Sequence, residues 1–411
     1  MLRRGRLIRV LCFAAALAAA RCGAAPSATP ARPEPSYAGT RKASSWTEAY
    51  GGPAPELVLT LEEQDLWARV LRDVARPCSA DSRLTEAARQ QALALSKSSV
   101  SFEDGGLDRL RFNLLRLGST DYAVAPLVAV LDTGGREALG RLAARRASEW
   151  THCGLGVGGN KERRVAVFAG VRRVVELDAF PVRSEPGSRL LVRGRVVADA
   201  DAPLEPYLGL PDGSVQRLPA VRVSDRRFAF EVPLESKGRH DLEVLVDTGR
   251  GYETAALVPL FVGVAPDERP VIVADDVDAA PAGDPEAALG RLIDGARRRA
   301  GLHPLERDAR LDEAAKAHCR DMVANRFFGH VSPSRGPLAL RLSSLGLSPF
   351  RMAENVARSG SVTRLHHNLM ESPSHRVNIV DPAFTHMGLG VGRDGNDLVA
   401  TEIFVRWEAS P

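Results

Sequence analysis

Apolar residues recur along this chain with two different periods, and the change from one to the other divides it. Between residues 175 and 265 they alternate with polar ones in short runs, at 189–197, 207–210, 227–232, 241–247 and 255–262. Pro211-Asp212-Gly213 and Lys237-Gly238 interrupt the runs. Short strands at this spacing, separated by turn residues, predict an all-β sandwich that is Ig-like in pattern. Beyond residue 284 the period becomes helical. Leu289, Leu292, Ile293 and Ala296 mark one face of a helix over 286–299, and Leu311, Ala315, His318 and Met322 mark another over 309–325. Leu338, Leu342 and Leu345 predict a third helix, and 362–371 a fourth. The end reads as a hairpin, 386–392 and 397–405, around Asp394-Gly395-Asn396. Helices flanking a small antiparallel sheet make an α+β layered domain.

The first part of the folded chain echoes the last. Thr151-His152-Cys153-Gly154-Leu155-Gly156-Val157-Gly158 repeats Thr385-His386-Met387-Gly388-Leu389-Gly390-Val391-Gly392 at every position but one. Upstream, Arg83-Leu84-Thr85-Glu86-Ala87-Ala88 echoes Arg310-Leu311-Asp312-Glu313-Ala314-Ala315. Two matches in the same order and at similar separation argue for a duplication with the sandwich between the copies.

The N-terminus changes where such a chain would work. Arg3, Arg4, Arg6 and Arg9 precede an apolar run over 10–20 with small residues after it, which predicts a secretory signal peptide over 1–24. The run is too short for a membrane-spanning helix. Cys22 is the candidate lipidation site; Arg21 stands where lipoprotein signals place a small residue, so cleavage near Ala20 or Ala24 without a lipid is the competing expectation. Residues 25–55, rich in Pro, Ala, Ser and Gly, read as a disordered tether, and 266–283 as a second linker. The domains expected are therefore 56–173, 174–265 and 284–411. Net charge is +4 with both signs interspersed, which gives nucleic acid no basic stripe to bind. Five cysteines are too few for a disulfide-built scaffold. Cys78 and Cys153 fall in one domain and are candidates for a disulfide, the alternative being two separate buried thiols.

Six blocks of the last domain carry a resemblance. They are 301–305 (GLHPL), 311–318 (LDEAAKAH), 329–333 (GHVSP), 353–357 (AENVA), 372–379 (SPSHRVNI) and 388–391 (GLGV). Together they resemble the bacterial branch of the CAP superfamily, which groups cysteine-rich secretory proteins, antigen 5 and pathogenesis-related proteins (the SCP domain). The resemblance implies an α-β-α sandwich with an open cleft holding two His and two acids, a set that takes a divalent metal, often zinc, in several members. By motif the first His is His330, the first acid Glu354 and the second His His375. The second acid does not map; the fourth helix supplies His366, His367 and Glu371 in its place, with His366 or Glu371 the candidates for a ligand. In the degenerate N-terminal copy Gln91 stands for His318 and Arg141 for His375, and no His occurs between Glu56 and Thr151, so that copy is expected to have lost the site.

No local spacing makes His330, Glu354 and His375 a site; only folding can gather them. Two neutral imidazoles and a carboxylate suit zinc, and the same groups suit plain structural bracing. Ser332, Ser372 and Ser374 lie near the histidines, but no Gly-x-Ser-x-Gly elbow accompanies them. The leading expectation is an extracytoplasmic binding protein, secreted, periplasmic or surface-tethered, holding a divalent metal or small polar ligand, with an envelope or extracellular component as partner. A metal-assisted hydrolase using His330, Glu354 and His375, and a non-catalytic adhesion protein, are the alternatives.

Overall fold

The computed structural model describes residues 45–72, 74, 76–97, 106–197, 202–249, 251–273 and 284–408. The expected signal peptide, Cys22 and the tether as far as residue 44 lie outside the described residues. The architecture is mixed α+β. In the first domain the strands Ser79–Ala80, His152–Gly159, Arg164–Val171 and Val124–Val130 lie side by side in that order. Helices α1 (Leu61–Leu71) and α4 (Thr133–Arg146) cover one face, while α2 (Ser82–Ser96) and α3 (Gly106–Arg116) cover the other. Local chemistry starts the helices: Thr60 and Glu63 form a reciprocal capping box, and Asp81 and Asp132 cap α2 and α4. Cys78 and Cys153 are joined as a disulfide, which fastens the segment before α2 to the central strand.

The last domain repeats this order with Glu306–Arg307, His386–Asp394, Asp397–Arg406 and Arg351–Ser359. In both sheets the first pair is parallel and the others antiparallel. Helices α5 (Pro285–Arg299), α8 (Val362–Glu371) and α9 (Pro373–Ile379) pack on one face, and α6 (Ala309–Ala324) and α7 (Leu338–Ser343) on the other. The glycine-rich strands have a steric reason. A Cβ on Gly388 or Gly390 would run into the backbone of α6 at Leu311 and Ala315, and one on Gly154 or Gly156 into α2 at Leu84 and Ala88. Only glycine lets these helices lie so close to their sheets.

Between them, two sheets share one hydrophobic cluster that includes Val192, Phe228, Phe230, Val244, Val258 and Phe261. The tether expected to run to residue 55 ends sooner. Ala49–Tyr50 pairs with Phe180–Pro181, and Tyr50 is fully buried in the central core. Trp46 packs edge-on against Phe112 and Phe261 and donates to the Asp267 carbonyl. Composition pointed to disorder, but two aromatic anchors outweigh it. Among the described residues no helix is long and apolar enough to cross a membrane.

Candidate functional site

His330 sits in the connection from α6 to α7. His318, on the buried face of α6, meets the Gly329 carbonyl at 3.0 Å and so fixes the backbone next to it. Ser332 ties the following turn down by donating to Asp321 at 2.6 Å, while its oxygen accepts from the Arg335 N–H. Held in this way, the His330 Nδ1 reaches Glu354 Oε1 at 3.0 Å. The other Glu354 oxygen accepts from Arg341 of α7. Burial opposes ionisation of Glu354, but the hydrogen bond from His330 and the Arg341 charge outweigh it and hold the carboxyl below its usual range. An ionised carboxylate only accepts, so His330 carries its proton on Nδ1.

Glu354 and Asn355 are neighbours on the edge strand and therefore point to opposite faces. Asn355 spends both amide protons, one on the His375 carbonyl at 3.1 Å and one on Glu402 at 2.9 Å, and accepts from Asn378 at 2.9 Å. One strand thus grips the His330 loop with one residue and the start of α9 with the next. His375, half-buried there, meets the Ser372 hydroxyl at 2.5 Å through Nδ1. Burial, with His330 close by, pushes it down to about 3, so its ring is neutral at physiological pH. Glu402 is fully buried with one oxygen unpartnered among the described residues, and burial pushes its carboxyl up to about 7.

The fold therefore brings His330, Glu354 and His375 to one edge of the sheet. It does not bring the two helix candidates. His366 is buried near Arg299 of α5, and neither of its ring nitrogens meets a partner among the described residues. Glu371 pairs with His367 at 3.4 Å and lines a separate cavity of about 100 Å³ where the three domains meet, together with Arg111, Tyr122, Arg239 and Asp241. The two lie five residues apart on α8, on different sides of the helix, and thus serve different interfaces. His386 bonds to Thr385 at 2.8 Å and pairs with Glu306 at 3.2 Å, which braces the first strands of the sheet.

The donor set does not fit a divalent cation. Both oxygens of its carboxylate are engaged, one of them by a guanidinium that already neutralises it. Among the described residues no group of three or more His, Cys, Asp or Glu is placed to hold a metal ion. Of the serines beside the histidines, Ser332 is committed to its turn, Ser372 is buried, and Ser374 is half-buried.

Two groups missing from the sequence reading contribute. Arg341 clamps Glu354. Glu243 comes from the central domain, fully buried, and accepts from Ser372 Oγ at 2.7 Å, Thr254 Oγ1 at 2.9 Å and the Ser374 N–H at 2.8 Å. The turn after its strand also reaches the site: Gly251, at φ +99°, leaves a Cβ only 3.1 Å of room from His330. A lone acid inside an apolar run, as in Leu242-Glu243-Val244 and Thr401-Glu402-Ile403, was the signal available in the sequence.

Residues 291–405 match the model of the CAP, or cysteine-rich secretory protein, family. The Bacillus subtilis protein YkwD is 33% identical over 112 residues, which is 27% of this chain and 44% of that one. The B. subtilis membrane protein YlbC is 31% identical over 103 residues, 23% of this chain and 27% of its own. The chain thus spans less than half the length of these curated relatives. Among solved structures, an extracellular SCP-domain protein from Bacillus anthracis is 21% identical, with 53% of this chain and 64% of that one covered and a TM-score of 0.28. For a cysteine-rich secretory protein from Staphylococcus aureus the values are 14%, 57%, 83% and 0.27. The glycine ladder, the edge-strand acid and the His-bearing α9 belong together: the C-terminal third of this chain is a CAP domain.

Proposed function

We propose that this is an exported binding protein whose CAP cleft takes a small polar ligand from the cell envelope through His330 and His375. The observation that carries the reading is the Arg341 clamp on Glu354, which engages the carboxylate a cation would need; the two imidazoles are what the proposed cleft then offers a ligand. A neutral imidazole pairs with hydroxyl and amide groups, the chemistry of sugars and short peptides. Export is supported by the basic and apolar N-terminal pattern and by the Cys78–Cys153 bond, which belongs to oxidising compartments. The N-terminal domain, on this reading, is a duplicated CAP domain that keeps the packing and has lost the site; the repeated octet and the common strand order support it.

The test is calorimetric titration of the purified protein with soluble muropeptides, beside equilibrium dialysis with zinc. Binding of a muropeptide, weakened at least about tenfold (about 1.4 kcal/mol) in both His330→Ala and His375→Ala, is expected. Stoichiometric zinc lost on Glu354→Ala, or no muropeptide binding at all, overturns the reading.

A further inference from the structure

We infer that Glu243, carried by the central domain, is a positioning residue of the CAP cleft: through the Ser372 hydroxyl it fixes His375 as the Nδ1–H tautomer. The argument is a count of protons. Ser372 Oγ has one proton and stands 2.7 Å from Glu243 Oε1 and 2.5 Å from His375 Nδ1. Glu243 Oε2 faces the Ser374 N–H at 2.8 Å, a donor that cannot turn away. Thr254 presents a further hydroxyl to Oε1 at 2.9 Å. An acid ringed by donors accepts the Ser372 proton. Ser374 Oγ stands farther off, 3.4 Å from Nδ1 and 3.2 Å from Ser372 Oγ, so the contact that decides the ring is the one at 2.5 Å. There the serine oxygen has only lone pairs for the imidazole, so the ring proton lies on Nδ1 and Nε2 carries a lone pair.

Burial raises the Glu243 carboxyl above its usual range, and the same donors oppose that rise. Were the acid to keep a proton directed at Ser372, the chain of donors would reverse and the imidazole would present Nε2–H. The two orders are distinguishable by experiment. In the first order the tautomer of a CAP-domain histidine is set from a residue 132 positions earlier in the chain, in a different domain. The central domain is then part of the cleft and not a spacer, in keeping with its Gly251 turn against His330. The consequence for ligand binding rests on the function proposed above; the tautomer does not.

The experiment is a long-range proton–nitrogen correlation spectrum of the full-length protein labelled in histidine, with the His375 ring assigned by its loss in His375→Gln. The wild-type ring is expected to show Nδ1 protonated and Nε2 bare. In Glu243→Gln the amide must turn its oxygen to the Ser374 N–H and its NH2 to Ser372. The serine then donates to Nδ1, and the majority tautomer inverts to Nε2–H. Ser372→Ala removes the relay while keeping the acid, and the Nδ1–H preference is expected to be lost. His386, held by Thr385, is the internal control and stays unchanged in both. A wild-type Nε2–H ring overturns the inference, as does an Nδ1–H ring that survives either substitution. A protein that binds no muropeptide but shows the tautomer shift would sink the proposed function and leave this inference standing.

Discussion

The first and last domains share a strand order, a glycine ladder and a Thr–His pair, and they differ along one sheet edge. His152 pairs with Val171 as His386 pairs with Val405, so Ala169 corresponds to Ile403 and Phe168 to Glu402. On the edge strands Pro126 then stands where Glu354 does, and Leu127 where Asn355 does. Gln91 occupies the place of His318, and both polar atoms of its amide are buried without partners among the described residues. What the domains have in common is packing. Thr151 meets the His152 ring at 3.0 Å as Thr385 meets His386 at 2.8 Å, and Glu63 and Glu286 each accept from the N–H of an equivalent valine at 3.3 Å. The fold is thus held by the close helix–sheet face and the hairpin, while the site hangs on the edge strand. An edge can turn from polar to apolar without disturbing the rest. Where the last domain has the Asn355–Glu402 pair, the first has Leu127 on Phe168, and a disulfide adds a fastening the CAP domain lacks.

The largest expected break in this comparison comes from that fastening. Replacing Cys78 and Cys153 by Ala is expected to cost the first domain about 4 kcal/mol, the loop-closure entropy of a bridge across 75 residues. Denaturant melts followed by tryptophan fluorescence would check it, with the CAP domain unaffected. Next are the shared glycines. Gly154→Ala and Gly388→Ala are each expected to cost about 3 kcal/mol, because a methyl there meets helix backbone that cannot yield. A cost in one domain only would show that the two do not share a plan.

Glu402 sharpens the difference by pH. Its folded-state carboxyl titrates near 7 against an ordinary value of 4.5, so the folded state holds the proton more tightly. Stability from this group is present in acid and is lost as pH rises from about 4.5 through 7. Glu402→Gln is therefore expected to leave the melt at pH 4 unchanged and to gain at most about 3 kcal/mol at pH 8. The first domain, with Phe168 at that position, is expected to show no such slope. His366 has the opposite sign and the smallest effect. Burial lowers it to about 4 from 6.5, so the unfolded chain binds the proton first and stability falls as pH drops through that window. His366→Leu is expected to remove that acid sensitivity and to gain about 1 kcal/mol at neutral pH by deleting two unpartnered nitrogens.

Much of this was legible in the residues. Helices α5, α6 and α8 follow from their apolar stripes, and the hairpin from its alternation around Asp394-Gly395-Asn396. The strand Arg351–Ser359 was not, because its residues answer to three different surroundings: Glu354 to Arg341, Asn355 to α9, and Arg358 to Asp394 and Asp397. Helix α9 was hidden by Ser372-Pro373, which reads as a turn until Glu243 supplies acceptors to its first residues. His330, Glu354 and His375 were named from a motif, but nothing local could say that Arg341 would take the carboxylate. His366 and Glu371 were read as interchangeable on a helix whose sides face different neighbours.

Arg364 of α8 reaches across 256 residues of sequence: its Nη1 donates to both oxygens of Asp108, and its Nη2 donates to the Val273 carbonyl. The first and last domains are therefore clasped directly as well as through the middle one. A protease that severs the chain between residues 273 and 284 would yield two fragments that travel together until salt or denaturant opens the clasp.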